Sequence, residues 1–182
     1  AVFELKRNEL YHAAIQSALA KIGENISLRR FELIEGETGT LVGYVHGSRI
    51  GVVVQLNTSS AAEVGRDIAM HIAASRPLCI DESAMPAEVL QKERDIYSAQ
   101  AAESGKPAEI VEKMVSGRIS KFLKENTLVG QPFVKNPDET VGDLLATHGA
   151  AVLMMHRFEV GEGLEKKVDD FVAEVMAQAK AE

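Results

Sequence analysis

Along the first 23 residues, Leu10, Tyr11, Ala14, Ile15, Ala18, Leu19 and Ile22 recur at helical spacing, and Gly23 closes the pattern. The period then changes. "NISLRRFELIEG" (25–36) is extended in character and runs out at Gly36 and Gly39. "GYVHGSRIGVVV" (43–54) reads as two strands folded back on each other, with Gly47-Ser48 as a two-residue connection and Gly47 supplying the positive φ of a tight turn. That turn length pairs His46 with Arg49, Val45 with Ile50, Tyr44 with Gly51 and Val42 with Val53. Leu41, Gly43, Val45, Ile50, Val52 and Val54 then share the core face, and Tyr44, His46 and Arg49 emerge opposite.

A helix over 60–75 follows, with Val64, Ile68 and Ile72 on one side and a small-residue edge of Ala69 and Ala73; "SRP" stops it. Pro86 stands at a first helical position, with Ser83 as a candidate cap, and opens a helix to about residue 104. Gly105-Lys106-Pro107 is a stop, a turn and a restart into a second helix reaching about residue 124. Val89/Ile96 and Leu90/Tyr97 recur at seven residues, and Ile110, Val111, Met114, Val115 and Phe122 form a facing stripe. The pair predicts an antiparallel helical hairpin that projects with charged outer sides. "LVGQPFVKNPDE" (128–139) reads as a loop, 140–148 as a short helix stopped by Gly149, and "AAVLMMHRFEVG" (150–161) as a central strand buried on both faces. Residues 164–180 read as an amphipathic helix carrying Val168, Phe171, Val172, Val175 and Met176.

Strands grouped around a long helical insertion indicate an α+β fold: a small antiparallel sheet packed with helices, an inserted helical hairpin and a C-terminal helix. The expected organisation is a core subdomain at 1–80, the arm at 81–126, a return to the core at 127–163 and a helical module at 164–182.

Composition narrows the class. With 182 residues and 46% hydrophobic content, one sizeable core is affordable, and no apolar run approaches the roughly 20 residues that span a bilayer. A soluble globular protein without membrane association is expected. "AVFELKRNEL" is charged from its fourth residue, unlike a signal peptide, and the absence of an initiator Met suggests a fragment or processed product. A net charge of -7 without a basic stripe argues against nucleic-acid partners. The single Cys79 rules out an internal disulfide, fits a reducing compartment and reads as a buried small hydrophobe.

Candidate chemistry is sparse. "HGSRIG" lies in a hairpin turn rather than between a strand and a helix, so it is no phosphate cradle. No Ser occupies a nucleophile elbow. His12, His46, His71, His148 and His156 have no metal-ligand spacing; His71, in "AMHIAA", and His156 read as satisfied or interfacial histidines. The 27 acidic residues offer no distinguishable acid/base pair. No catalytic residue, cofactor or metal is assigned, and an enzyme built on His46 and Arg49 is the remotest of the readings.

Seven segments carry a resemblance: "ALAKIGENISLRRFE", "VHGSRIGVVVQ", "DIAMHIAASRP", "EVLQKERDIY", "SGKPAEIVEKMVSGRISKF", "LVGQPFVKNP" and "HRFEVGEGLEKK". In order and from Ala18 to Val168, they resemble translation elongation factor Ts. The resemblance implies a guanine-nucleotide exchange factor for elongation factor Tu in the bacterial cytoplasm, one that works by binding and needs no covalent chemistry. It implies that the hairpin and last strand belong to the C-terminal half of the family core, the arm to its coiled coil and the tail to its C-terminal module. Ile22 and Gly23 of "KIGEN", His46 of "HG" and Val134 of "QPFV" fall where the family touches elongation factor Tu. Ile22 and Val134 read equally well as core residues, and Arg49 is added only for its place across from His46. The family's N-terminal ubiquitin-associated-like domain and Thr-Asp-Phe-Val wedge have no counterpart in these 182 residues. A C-terminal fragment that binds the GTPase with reduced exchange activity is therefore expected. The alternative is a structural or dimerisation module, since the family includes members that form homodimers through this half.

Overall fold

A computed structural model of the chain describes residues 2–23, 30, 32, 34, 39–58, 61–103 and 105–163. The extended reading of 25–36, apart from three scattered residues, and the helix expected at 164–180 lie outside the described residues. The chain divides into two compact units, Ala1–Glu35 and Gly36–Glu182. In the first, helix α1 (Val2–Ile22) contains neither Gly nor Pro and ends as anticipated: Gly23 takes φ 73°, and its N–H donates to the Leu19 carbonyl at 2.9 Å. Ile15, Ala18 and Leu19 are half-buried.

In the second unit the elements run β1 (Thr40–His46), β2 (Ile50–Leu56), α2 (Ala62–Ser75), α3 (Ala87–Ala102), α4 (Ala108–Asn126), β3 (Pro132–Phe133), β4 (Asn136–Thr140), α5 (Val141–Thr147) and β5 (Val152–Glu159). The architecture is α+β. Strands β1, β2 and β5 form an antiparallel sheet in that order, and β3 pairs with β4.

The hairpin forms where the sequence places it, but its register differs. His46 pairs with Ile50, Val45 with Gly51, Tyr44 with Val52 and Val42 with Val54. The connection therefore holds three residues, Gly47, Ser48 and Arg49, and Arg49 is a turn residue rather than the partner of His46. A slip of one residue turns every β1 side chain to the other face. Val52, Val54 and Leu56 are buried, and their partners Tyr44, Val42 and Thr40 lie on that core face. Leu41 (45% exposed) and Val45 (70%) lie on the opposite one. The expectation that Leu41, Gly43 and Val45 face the core and that Tyr44 and His46 emerge opposite is corrected: Tyr44 and His46 have the parity of the core face, His46 standing exposed at its end. Both sets of alternate residues in β1 carry apolar side chains, so hydrophobicity alone leaves the face open. Strand β5 is also corrected: it borders β2 at the sheet edge, and Val152 is its one buried position.

Helix α2 covers the core face. Ile68, Ala69 and Ile72 are buried against Val52, Val54 and Leu56, and full burial of each large aliphatic side chain contributes about 1.5–3 kcal/mol. Gly65 permits the close approach, because a Cβ there would stand 2.8 Å from a Val42 methyl carbon. The helix ends at Arg76, a non-glycine residue at φ 51° whose N–H donates to the Ile72 carbonyl at 3.1 Å. The Arg76 guanidinium reaches Glu159 at 2.8 Å, and Arg157 reaches the same carboxylate at 2.9 Å, which ties the helix end to β5.

The arm forms as expected, with a narrower seam. Ala101, Val115 and Ile119 are buried against Leu90, Tyr97, Val111 and Leu123, whereas Ile96 and Ile110 are exposed. At its base, Leu78, Leu128 and Val129 donate backbone N–H bonds to Asn126, Cys79 and Ile80, holding the outgoing and returning chain side by side. Cys79 is buried, as anticipated. The stretch 128–139, read as a loop, contains the β3–β4 hairpin. Helix α5 follows its local signals: Thr140 and Asp143 form a capping box, and Gly149 past its end takes φ 57°.

Candidate functional site

Two elements distant in sequence meet beside α2. One is the end of β1, where His46 is exposed and its Nδ1 lies 3.1 Å from the Tyr44 hydroxyl. The other is the two-residue turn Val134-Lys135 between β3 and β4. Phe133, before the turn, is buried in the core and anchors it; Val134 then stands 44% exposed. Lys135 forms an ion pair with Asp67 on α2.

Between the two elements lies an open groove of about 600 Å³. Met70, Ala73 and Ala74 of α2 line it, with Ile50, Tyr44 and Val134 on its flanks. His46, Arg76 and Lys135 stand at its polar margin. Both long cations are already paired, Arg76 with Glu159 and Lys135 with Asp67, so the groove offers apolar contact together with the Tyr44–His46 polar pair. The Glu159 carboxyl is held below the usual carboxylate range, first by its Arg157 hydrogen bond and further by the charges of Arg76, Arg157 and Arg49.

Behind Val134 is a buried polar group. His71 is fully buried, its Nε2 2.9 Å from the Gln131 Oε1, and its Nδ1 accepts the Val134 N–H at 3.2 Å. Burial pushes the His71 imidazole below its ordinary value, and the Gln131 bond opposes this in part. The reading of His71 as a satisfied histidine is borne out.

Of the sequence candidates, His46 and Val134 line the same groove. Arg49 does not: it sits in the exposed β1–β2 turn, where its carbonyl accepts the Val160 N–H at 2.8 Å. Ile22 and Gly23 belong to the first unit; Ile22 is 59% exposed at the end of α1. Sequence reasoning missed Met70 and Ala74 and read Ala73 only as a packing edge; the three stand at i, i+3 and i+4 on α2. It also missed Tyr44 as a groove residue, through the register slip. Among the described residues no three His, Cys, Asp or Glu side chains group as metal ligands, and no helix is long and apolar enough to cross a membrane.

The fold and groove define an α+β domain with an inserted helical arm and an open, largely apolar contact surface. The chain belongs to the elongation factor Ts family, whose profile, Elongation factor TS, matches residues 2–162. It is 63% identical to Elongation factor Ts of Methylococcus capsulatus over 163 residues, covering 90% of this chain and 55% of that protein. The Thioalkalivibrio sulfidiphilus protein of the same name is also 63% identical, over 89% of this chain and 55% of its own length. That of Alkalilimnicola ehrlichii is 56% identical, over 92% and 57%. The chain thus spans just over half the length of these relatives.

Proposed function

We propose that this chain docks on elongation factor Tu through the groove between α2, β1 and the β3–β4 turn, as the docking part of a guanine-nucleotide exchange factor. It acts in bacterial translation by binding, without catalysis and without a cofactor or metal. The observation that carries this reading is the meeting of His46 and Val134 on one groove. Each belongs to a separate motif of the family resemblance, "HG" and "QPFV". In this reading 1–80 and 127–163 make the core, 81–126 the arm and 164–182 the tail module, with Ile22, Gly23 and Arg49 as further contacts. A factor of this kind accelerates nucleotide release only so far as it binds the empty GTPase more tightly than the loaded one. A surface that holds both forms equally shifts nothing.

Calorimetric titration of the chain with elongation factor Tu bound to GDP tests the docking. His46→Ala and Val134→Ala each weaken binding about tenfold, as a well-packed contact does. Both residues are exposed, so melting should stay within about 0.5 kcal/mol of wild type. Unchanged affinity in both variants would rule the groove out. Stopped-flow release of a fluorescent GDP analogue tests exchange: the saturating chain is slower than a full-length factor and competes with it. A saturating rate equal to the full-length factor's would show that the docking part suffices.

A second reading, self-association, is favoured by the face of the sheet away from α2. Leu41 and Val45 are exposed there, and the rings of His156 and Phe158 stack at 6.3 Å. Light scattering of the chain alone separates the readings, since a dimer mass without elongation factor Tu supports this one.

A further inference from the structure

We propose that His71 is a positioning residue whose imidazole holds the Val134 backbone and so presents the Val134 side chain to the partner. The proposal rests on the docking reading of Val134 given above.

Val134 opens the two-residue turn of the β3–β4 hairpin, whose pairing runs from Phe133 to Asn136, so its N–H has no partner in that ladder. A backbone N–H in that place needs an acceptor, and His71 Nδ1 provides it at 3.2 Å. Fixed backbone groups at its two ends then set the direction of the whole chain of bonds. The Val134 N–H only donates, so Nδ1 must be bare and the ring proton must sit on Nε2. At the other end, the Gln131 side-chain amide donates to the carbonyls of Glu125 at 2.7 Å and Ser75 at 3.4 Å, which only accept. The Gln131 Oε1 therefore faces His71 and accepts the Nε2–H at 2.9 Å. One neutral tautomer satisfies every member, and the chain links the ends of α2 and α4 to the turn.

The next residue is fastened to the same helix. Lys135 pairs with Asp67, one helical turn before His71, so both residues of the hairpin turn are tied to α2. Helix α2 also supplies Met70, Ala73 and Ala74 to the groove. His71 therefore sets the position of Val134 relative to the floor it shares. Phe133, its ring centroid 6.0 Å from that of His71, closes the other side. Of the charged groups on the enclosing elements, Asp67 pairs with Lys135, Glu125 with Lys121, and Arg157 with the Ala73 carbonyl and Glu159. Protonation at Nδ1 would set two donors against each other and release the turn.

The experiment uses the full 182-residue chain labelled with nitrogen-15. At pH 7.5, a coupling across the hydrogen bond between the Val134 amide nitrogen and His71 Nδ1 is expected, with the proton on Nε2. Finding the proton on Nδ1, or no coupling, overturns the proposal without any variant having to fold. His71→Leu should weaken binding to elongation factor Tu·GDP about tenfold and speed Val134 amide exchange at least about tenfold, leaving Leu128 and Val129 protected. His71→Asn, which restores an acceptor near the Nδ1 position, should recover most of both. Equal loss in the Leu and Asn variants, or unchanged Val134 exchange in His71→Leu, would reduce His71 to a packing residue and refute the proposal. Val134→Ala separates the two claims: unchanged affinity there refutes the docking reading, while the coupling and exchange data still judge the His71–Val134 bond.

Discussion

Replacing two leucines on opposite faces of one sheet, Leu56→Ala and Leu41→Ala, tests the hairpin register. Leu56 is 0% exposed and packs on Ile68, Ile72 and the Gly65 approach. Truncation removes about three buried carbons at about 0.8 kcal/mol each and leaves a cavity. Together these amount to about 3–4 kcal/mol, within the range for buried leucines. Leu41 keeps 45% of its surface in solvent and faces away from α2, so its truncation leaves no closed cavity and costs about 1 kcal/mol or less. For a chain of this size the first change lowers Tm by on the order of 10 °C and the second by a few degrees. Urea unfolding followed by circular dichroism should show the same order at an unchanged m value. Equal costs, or a larger one for Leu41, would restore the two-residue turn and the opposite β1 face. Repeating the melts at tenfold higher protein concentration detects self-association on the Leu41 face, since a dimer raises Tm with concentration.

Three further outcomes are expected. The His71 imidazole titrates below its ordinary value, so the unfolded chain binds the extra proton first as pH falls; stability from this site is complete above about pH 6.5, declines below it, and levels off below the folded-state value. Melts from pH 8 to 5 should show that decline flattened in His71→Leu, and an unchanged slope would mean that other groups dominate. Gly130→Ala would place a Cβ 2.7 Å from the Thr127 hydroxyl and 2.8 Å from the Lys124 carbonyl, against backbone that cannot yield, and should cost about 1–3 kcal/mol by chemical denaturation. Deleting 86–122 and joining the ends with a short flexible linker should leave a cooperatively unfolding domain, because the arm has its own seam and its base is held by the 78–80 and 126–129 backbone bonds; a broad, non-cooperative melt would show the arm to be integral to the core.

What was legible in the sequence is local. Thr140, Asp143 and Gly149 delimit α5 by capping chemistry within a few residues, and Gly105-Lys106-Pro107 turns the arm in the same way. The hairpin was legible too, as was the common parity of Tyr44 and His46, because alternation belongs to any strand. Which way that parity faces was not. It depends on whether Arg49 is counted in the strand or in the turn, and Leu41 and Val45 are as apolar as Val42, so only packing against α2 decided it. The groove needed tertiary structure for the same reason. His46 and Val134 share no local signal, and the bond from Val134 to His71 joins residues 63 apart, a proximity that chain topology creates and no short-range pattern encodes.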